Sequence, residues 1–453
     1  MRFIQHLSIQ ARHALRAYAV KGCDYVFRMR NAGRIWHKSG IDNGHLRRMD
    51  SKAAGKAFPE SPKMHHFQFI YPNIQPALSH PELTAKDLAE HYCDGIEFPF
   101  LPKILFNPDG SVKSSNFTAS MQAKWMKAYA DQKIKLGIFW EGVYKKFPMS
   151  NGKMMPFVDK NEIIYPTWKK AYKNLLTDWL KFSKEKGYGL DDYLIMPDDE
   201  PSSRDEFMNS PGKLVRRAVE TYKLTRKIEP KLKQLVTVSD YASPKDIEAI
   251  TPHVDIVMPV WPARTFLVRW APKGYNPRET FHKTIVPMWK AERKKRGLKI
   301  WSYSVDRGKT EPVLNSGRAY PICAVGVGYT GVATWAYNVT RGSSWDDTDK
   351  GMLDYSFIYN GKERHPVNKL ENPTGEIIVP SIRWEAMRMG IQDAQIMLYL
   401  QDAMEKGKCD AATASEIKKI LAEANEYGKK LNFTYPKINS ISIRIRKLIL
   451  EIK

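Results

Sequence analysis

The sequence predicts an α/β fold whose strand–helix repeats close into a (β/α)8 TIM-like barrel with short N-terminal and helical C-terminal extensions. From Met64 onwards, short apolar strands alternate with amphipathic helical stretches. Eight such repeats over roughly 300 residues favour a closed parallel barrel over a doubly wound sheet. The chain has 453 residues and 43% hydrophobic side chains, so it can bury the core that one elaborated barrel requires.

Strands are predicted where short apolar runs are bounded by polar or glycine-containing turns. They cover residues 66–71, 95–100, 135–140, 192–197, 235–239, 255–261, 298–305 and 331–337. Helices are predicted between them, over residues 84–92, 118–132, 165–186, 212–228, 244–250, 277–296, 319–325 and 381–405. Helix starts are indicated by Thr84 with Asp87 and by Ser243 before Pro244.

The barrel is predicted to span residues 63–407, between two extensions. Residues 1–62 form a basic N-terminal extension and linker with little strand pattern. Residues 408–453 form a helical and basic C-terminal extension, with an amphipathic helix over 411–431. The tail from Ile438 alternates apolar and polar residues, and this period of two predicts a strand.

The composition excludes several classes of protein. The net charge is +23 and the isoelectric point about 9.6, which favours acidic partners, but the basic residues are dispersed along predicted helix exteriors. No nucleic-acid-binding motif is present, so we expect no nucleic-acid partner. The four cysteines are far apart and no run of 18 apolar residues occurs, so we expect no metal, no cofactor and no membrane span.

The sequence says less about where the protein resides and how it assembles. The basic N-terminus lacks an uninterrupted apolar segment and a small-residue cleavage site, so a cytoplasmic location is the expectation. The oligomeric state is left open by the sequence.

In a barrel of this kind, the reactive residues lie at the carboxyl ends of the strands. The fourth strand is followed by three carboxylates, Asp198, Asp199 and Glu200, and then by Pro201. Crowded carboxylates raise the pKa of one member and so keep it protonated for general acid catalysis. Asp199 and Glu200 are the predicted catalytic pair. The alternative is an acidic helix cap and turn.

Aromatic and amide side chains at the other strand ends are the predicted substrate-binding residues, because aromatic rings stack on sugars. They are Trp140 at strand three, Tyr241 at strand five, Trp261 at strand six, Tyr303 at strand seven, and Trp335, Tyr337 and Asn338 at strand eight. Packing at the barrel mouth is the alternative for these aromatic residues. The expected partner is a carbohydrate substrate, with an anionic glycan as one form of it.

Several motifs together resemble the catalytic domain of glycoside hydrolase family 123, the β-N-acetylgalactosaminidase family. The resemblance runs from about residue 64 to 405. The motifs are Asn107-Pro108-Asp109-Gly110-Ser111, Asp199-Glu200-Pro201, Trp301-Ser302-Tyr303, the stretch 331–338, and Ser381-Ile382-Arg383-Trp384-Glu385 with Arg388, Gly390, Ile391 and Asp393 after it. The chain departs from the family in lacking the N-terminal β-sandwich and export signal that such enzymes usually carry.

The resemblance implies hydrolysis of terminal β-linked 2-acetamido-2-deoxy sugars with retention and without an enzymic nucleophile. The acetamido oxygen of the substrate attacks the anomeric carbon. Asp199 then orients the acetamido group and stabilises the oxazolinium-like intermediate, and Glu200 is the acid and base. Trp335 is the implied floor of the sugar subsite, with Tyr303 and Tyr337 as hydroxyl donors.

Two alternatives remain open at this point. The additional Asp198 competes with Asp199 for the orienting role, because it lies beside the matched pair. A barrel of the same architecture that binds polysaccharide without hydrolysing it is the alternative function.

Overall fold

Eight parallel strands form a closed barrel in this protein, which we describe from a computed structural model. The structure describes residues 63–71, 74–98, 104–117, 121–139, 147–161, 163–201, 212–239, 242–261, 279, 281–305, 314–346, 354–364, 375–450 and 452. The predicted N-terminal extension, residues 1–62, lies outside the described residues.

The barrel strands follow one another in chain order around the ring. They are β1 (His65–Phe69), β2 (Gly95–Phe98), β3 (Lys135–Phe139), β4 (Tyr193–Met196), β5 (Lys233–Val238), β6 (Ile256–Trp261), β7 (Lys299–Val305) and β8 (Gly331–Trp335). Each strand pairs in parallel with the next, and β8 pairs with β1 to close the ring. The predicted fold class is therefore confirmed.

A helix follows each strand, as the barrel requires. These helices are α1 (Pro81–Glu90), α2 (Met121–Asp131), α3 (Pro166–Glu185), α4 (Lys213–Ile228), α5 (Pro244–Ile250), α6 (Val286–Arg296), α7 (Tyr320–Val327) and α8 (Ile382–Glu405). Two more, α9 (Ala411–Lys430) and α10 (Tyr435–Leu448), complete the described chain. None of the helices in the described ranges is long and apolar enough to cross a membrane.

The capping signals have different outcomes at two helices. Ser243 caps α5 as predicted, because its side chain accepts from Asp246 N while Asp246 accepts from Ser243 N. Helix α1 begins at Pro81, three residues before Thr84, whose hydroxyl donates to the carbonyl of His80 at 2.9 Å. Thr84 thus lies inside the first turn, where its hydroxyl returns to the backbone.

Large rings fill the lower part of the barrel, opposite glycines that leave room for them. A Cβ on Gly137 would lie 2.4 Å from the ring of Phe67, and one on Gly331 would lie 2.5 Å from the ring of Trp301. Both rings belong to an interior cluster that also contains Leu235. The interior is therefore packed, and any substrate must be taken at the strand ends.

A polar cluster links α1, the first helix of the barrel, to α8, the last one. The carboxylate of Asp87 accepts from Trp384 Nε1 at 2.9 Å. His91 is 3% exposed, stacks on Trp384 at 4.5 Å between ring centroids, and lies 3.5 Å from Asp87 and 3.6 Å from Glu385. Burial lowers the pKa of His91, but these two carboxylates outweigh burial and leave the pKa above its ordinary value.

The prediction of a strand in the C-terminal tail is wrong, because the tail forms α10. Ile438, Ile441, Ile445 and Leu448 are buried at helical spacing, and Ile443 is 42% exposed. The apolar residues fit a helical period as well as a period of two, and packing on α8 and α9 decides between them.

An ion-pair network holds α10 on α8. Asp393 of α8 is fully buried and accepts from Arg446 of α10 at 2.6 Å and from Arg318 at 3.0 Å. Because Arg318 lies just before α7, this network joins the C-terminal helix to two elements of the barrel.

Candidate active site

One buried hydroxyl connects the two predicted catalytic carboxylate residues at the end of β4. Thr237 of β5 donates from Oγ1 to Asp199 Oδ1 at 2.7 Å and accepts from the backbone N–H of Glu200 at 2.8 Å. Thr237 is 1% exposed. Glu200 has a φ of 47°, in the left-handed region that a non-glycine residue rarely adopts. Hydrogen bonds with Thr237 of β5 thus hold the turn after β4 in a backbone conformation that costs conformational energy. Such conformations are common at functional sites.

Tyr303 of β7 reaches the same turn from across the barrel. Its hydroxyl donates to Glu200 Oε1, and its ring packs edge-on against Phe69 with centroids 6.2 Å apart. The side chain is 4% exposed. The structure therefore brings Tyr303 and Glu200 together. The hydroxyl of Tyr303 is hydrogen-bonded to the carboxylate that was predicted to act as acid and base.

Trp335 ends β8 and lies at the barrel mouth between two tyrosines. Its indole N–H donates to the hydroxyl of Tyr71 at 2.8 Å. The ring of Tyr355 lies 4.5 Å away between centroids, and all three side chains are partly exposed. The peptide between Trp335 and Ala336 is cis. An aromatic surface of this kind suits the apolar face of a pyranose ring.

Asn338 supports this aromatic surface from behind. It is fully buried, its Oδ1 accepts from Tyr71 N at 2.9 Å, and its Nδ2 donates to Tyr71 O at 2.9 Å. The oxygen and the nitrogen of the side-chain amide are thus both hydrogen-bonded to the backbone of Tyr71. Asn338 therefore fixes the position of Tyr71, and its side chain does not reach the open mouth.

Two predicted substrate-binding residues point away from the mouth. Tyr337 is fully buried, and its hydroxyl donates to Asp87 Oδ2 of α1 at 2.8 Å. Trp261 lies on the outer face of β6, where its ring packs 5.6 Å from Tyr320 between centroids. Successive side chains of a strand face opposite sides, and sequence position alone does not give the side. Trp140 and Tyr241 lie outside the described residues.

The position of Asp198 differs from that of Asp199. Burial raises the pKa of Tyr222 of α4 well above its ordinary value, and the charge of Asp198 raises it further, more than that of Asp199 does. The hydroxyl of Thr237 donates to Asp199.

Four residues near the strand ends were not predicted from the sequence: Tyr71, Tyr355, Thr237 and a buried carboxylate, Glu97. Glu97 of β2 is 5% exposed and pairs in register with Phe69 and Gly137, on the face that points into the barrel. The signal that could have revealed Tyr71 is its place directly beyond β1, at the edge shared by the other strand ends. A glutamate inside an apolar strand was the corresponding signal for Glu97.

Comparison with known proteins finds similarity in structure and none in sequence. No protein-family model matches the chain, and no curated protein matches it in sequence. Similar solved structures include the endo-1,4-β-mannanase from Rhizomucor miehei, with 12% identity, a TM-score of 0.44, and coverage of 65% of this chain and 90% of that one. The endo-β-1,4-mannanase from Thermotoga petrophila has 11% identity, a TM-score of 0.42 and coverage of 74% and 77%.

A third similar structure is the glycoside hydrolase family 5 mannosidase from Rhizomucor miehei. It has 9% identity, a TM-score of 0.38, and coverage of 75% of this chain and 95% of that one. Glycoside hydrolases are thus among the solved structures to which this chain is similar. At these identities and TM-scores the likeness carries no argument about activity. In the described part of the chain, no group of three or more His, Cys, Asp or Glu side chains is arranged so that it could hold a metal ion.

Proposed function

We propose that the protein is a glycoside hydrolase that cleaves terminal β-linked 2-acetamido-2-deoxy sugars by substrate-assisted retaining catalysis. The observation that carries the proposal is the pair of adjacent carboxylate residues, Asp199 and Glu200, joined through the hydroxyl of Thr237 at a barrel strand end. The resemblance to family 123 supplies the reaction type, and membership of that family is part of the proposal.

In the first step, the acetamido oxygen of the substrate attacks the anomeric carbon as the glycosidic bond breaks. Glu200 gives its proton to the leaving oxygen, and an oxazolinium forms. Asp199 accepts a hydrogen bond from the acetamido N–H, and its negative charge stabilises the cation that develops there. In the second step, Glu200 takes a proton from water, the water attacks the anomeric carbon, and the acetamido group is restored.

The surroundings of the pair suit these two roles. The hydroxyl of Thr237 holds one oxygen of Asp199, so the charge that faces the acetamido group is oriented before substrate binds. Tyr303 donates a hydrogen bond to one oxygen of Glu200, which fixes the orientation of the carboxyl group that transfers the proton. Trp335 with Tyr71 and Tyr355 offers the apolar surface on which the sugar ring lies.

The test is release of nitrophenol from the β-linked nitrophenyl glycosides of N-acetylgalactosamine and N-acetylglucosamine, with nitrophenyl β-mannoside for comparison. We expect turnover of the acetamido substrates. Glu200→Gln should lower turnover by roughly 10²- to 10⁴-fold for substrates with poor leaving groups and by less for activated ones. Equal small losses on both kinds of substrate would contradict the role of Glu200.

The second candidate is a barrel that binds polysaccharide and does not hydrolyse it. The partly exposed aromatic surface around Trp335 and the net charge of +23 favour this candidate, especially for anionic glycans. Binding of a glycan with no turnover of any aryl glycoside would support it against the hydrolase.

A further inference from the structure

The end of the barrel opposite to the candidate active site begins with a level of basic side chains. Lys135, Lys233 and Lys299 are the first residues of β3, β5 and β7, and His65 is the first residue of β1. In an eight-stranded barrel, alternate strands contribute the four side chains of one level. These four residues therefore form one level at the N-terminal end of the barrel.

The strand pairing indicates that the three lysine stems point towards the barrel axis. Each lysine lies two residues before a position on the inner face, because side chains two residues apart share a face. Those inner positions are Gly137, Leu235 and Trp301. Gly137 is assigned to the inner face because a Cβ there would meet the ring of Phe67.

His65 shows directly that this level is inside the barrel. Its ring lies 5.0 Å from the ring of Trp301 between centroids, and its Nδ1 is 2.8 Å from Asp94 Oδ2. An eight-stranded barrel is just wide enough to be filled by side chains, so stems from alternate strands meet near the axis.

The charges at this end are not balanced by the acidic groups beside them. Burial lowers the pKa of Lys299, and the charges of Lys135 and Lys233 lower it further, while Asp94 and Asp255 act in the opposite direction and do not compensate. The lowered pKa means that its surroundings destabilise the positively charged form of Lys299.

The acidic groups are in addition already engaged. Asp94 is bound by Lys63 at 2.9 Å as well as by His65, and Asp255 is bound by Arg226 at 2.7 Å. The ammonium group of Lys135 donates to the carbonyl of Asp191 and lies 4.0 Å from Asp192. The lysine level therefore keeps an excess of positive charge that an anion would relieve.

We propose that this lysine level binds a multiply charged oxyanion, a phosphate or sulfate group, at the N-terminal end of the barrel. Each ammonium group supplies up to three donors, and a tetrahedral oxyanion accepts them from several directions. The site lies at the opposite end from Asp199 and Glu200, so it is independent of the proposed hydrolase activity.

The experiment measures the melting temperature of the full-length protein against inorganic phosphate, with sodium chloride keeping the ionic strength constant. A triple variant, Lys135→Gln with Lys233→Gln and Lys299→Gln, is compared with a control, Lys181→Gln with Lys184→Gln and Lys294→Gln. The control lysines are exposed on helices, so both variants lose the same charge. A parallel titration uses glycerol 3-phosphate in place of inorganic phosphate. The ligand with the lower dissociation constant shows whether the site prefers a free ion or a phosphate ester.

We expect saturable stabilisation of the wild type and of the control, and a dissociation constant at least about tenfold higher in the triple variant. Without phosphate, the triple variant should melt at or above the wild-type temperature, because like-charge repulsion is removed. If it does not fold, Lys299→Gln alone should still weaken binding several-fold. Equal stabilisation of all variants, or none in the wild type, would overturn the proposal.

Discussion

Replacing Thr237 by valine is the sharpest test of how the candidate catalytic pair is held. The change keeps the shape of a fully buried side chain and removes the hydroxyl that Asp199 and Glu200 share. The hydrogen bond to the Asp199 carboxylate contributes about 1.5–3 kcal/mol to the free energy of unfolding, and the one from the Glu200 N–H contributes about 0.5–1.5 kcal/mol. In the variant, water can replace part of these hydrogen bonds. Because both carboxylate residues are half-buried, water recovers part of this, and we expect a net loss of about 1–3 kcal/mol.

The assay combines urea unfolding with steady-state kinetics on a nitrophenyl 2-acetamido glycoside. Thr237→Val should lower kcat by roughly 10- to 100-fold, because the lost bonds orient groups that act in the transition state. Thr237→Ser is the matched control, since it keeps the hydroxyl and should restore most of the activity. A valine variant that matches the wild type in kcat and stability would contradict this role of Thr237, and so would a serine variant that loses as much as the valine variant.

Three further predictions concern named carboxylates and one histidine. Asp199→Asn should lower kcat by roughly 100-fold or more and Asp198→Asn by far less, and the reverse order in the same kinetic assay would transfer the orienting role to Asp198. His91→Gln should destabilise the protein most below pH 6.5, the ordinary value of a histidine pKa, since charged His91 stabilises the fold there and this contribution is lost as pH rises through the raised pKa. Unfolding by urea at pH 6 and pH 9 measures this, and an equal effect at both would contradict it. Asp393→Ala should cost about 3–5 kcal/mol by the same measurement, because it leaves two arginines without their buried partner, and a loss below about 1 kcal/mol would contradict it.

The sequence predicted the barrel well because the strand signal is local and repeated. The runs that begin at Gly95, Lys135 and Gly331 start where predicted, since apolar residues bounded by turns leave little choice of element. The prediction for the C-terminal tail was wrong because its local pattern fits two kinds of element. Its isoleucines fit both a period of two and a helical period, and only the contacts with α8 and α9 distinguish the two.

The candidate site was predicted in part, and the limit was the direction of side chains. Position at a strand end placed Asp199, Glu200, Tyr303 and Trp335 at one edge, which the parallel strands guarantee. The same rule could not tell that Tyr337 faces outwards, because one residue changes the face. Supporting residues such as Thr237 carry no sequence signal, since a threonine in a strand is ordinary.

Substituting fluorine into the acetamido group of the substrate tests directly whether the acetamido oxygen is the nucleophile. Fluorine withdraws electrons from the carbonyl oxygen, so an oxygen that attacks the anomeric carbon becomes a weaker nucleophile with each substitution. Substrate-assisted catalysis predicts that kcat/KM of the wild type falls stepwise from the acetyl to the trifluoroacetyl glycoside, with no glycosylated carboxylate detected by mass spectrometry. A kcat/KM that does not change with fluorination, together with a trapped covalent glycosyl-enzyme, would contradict it.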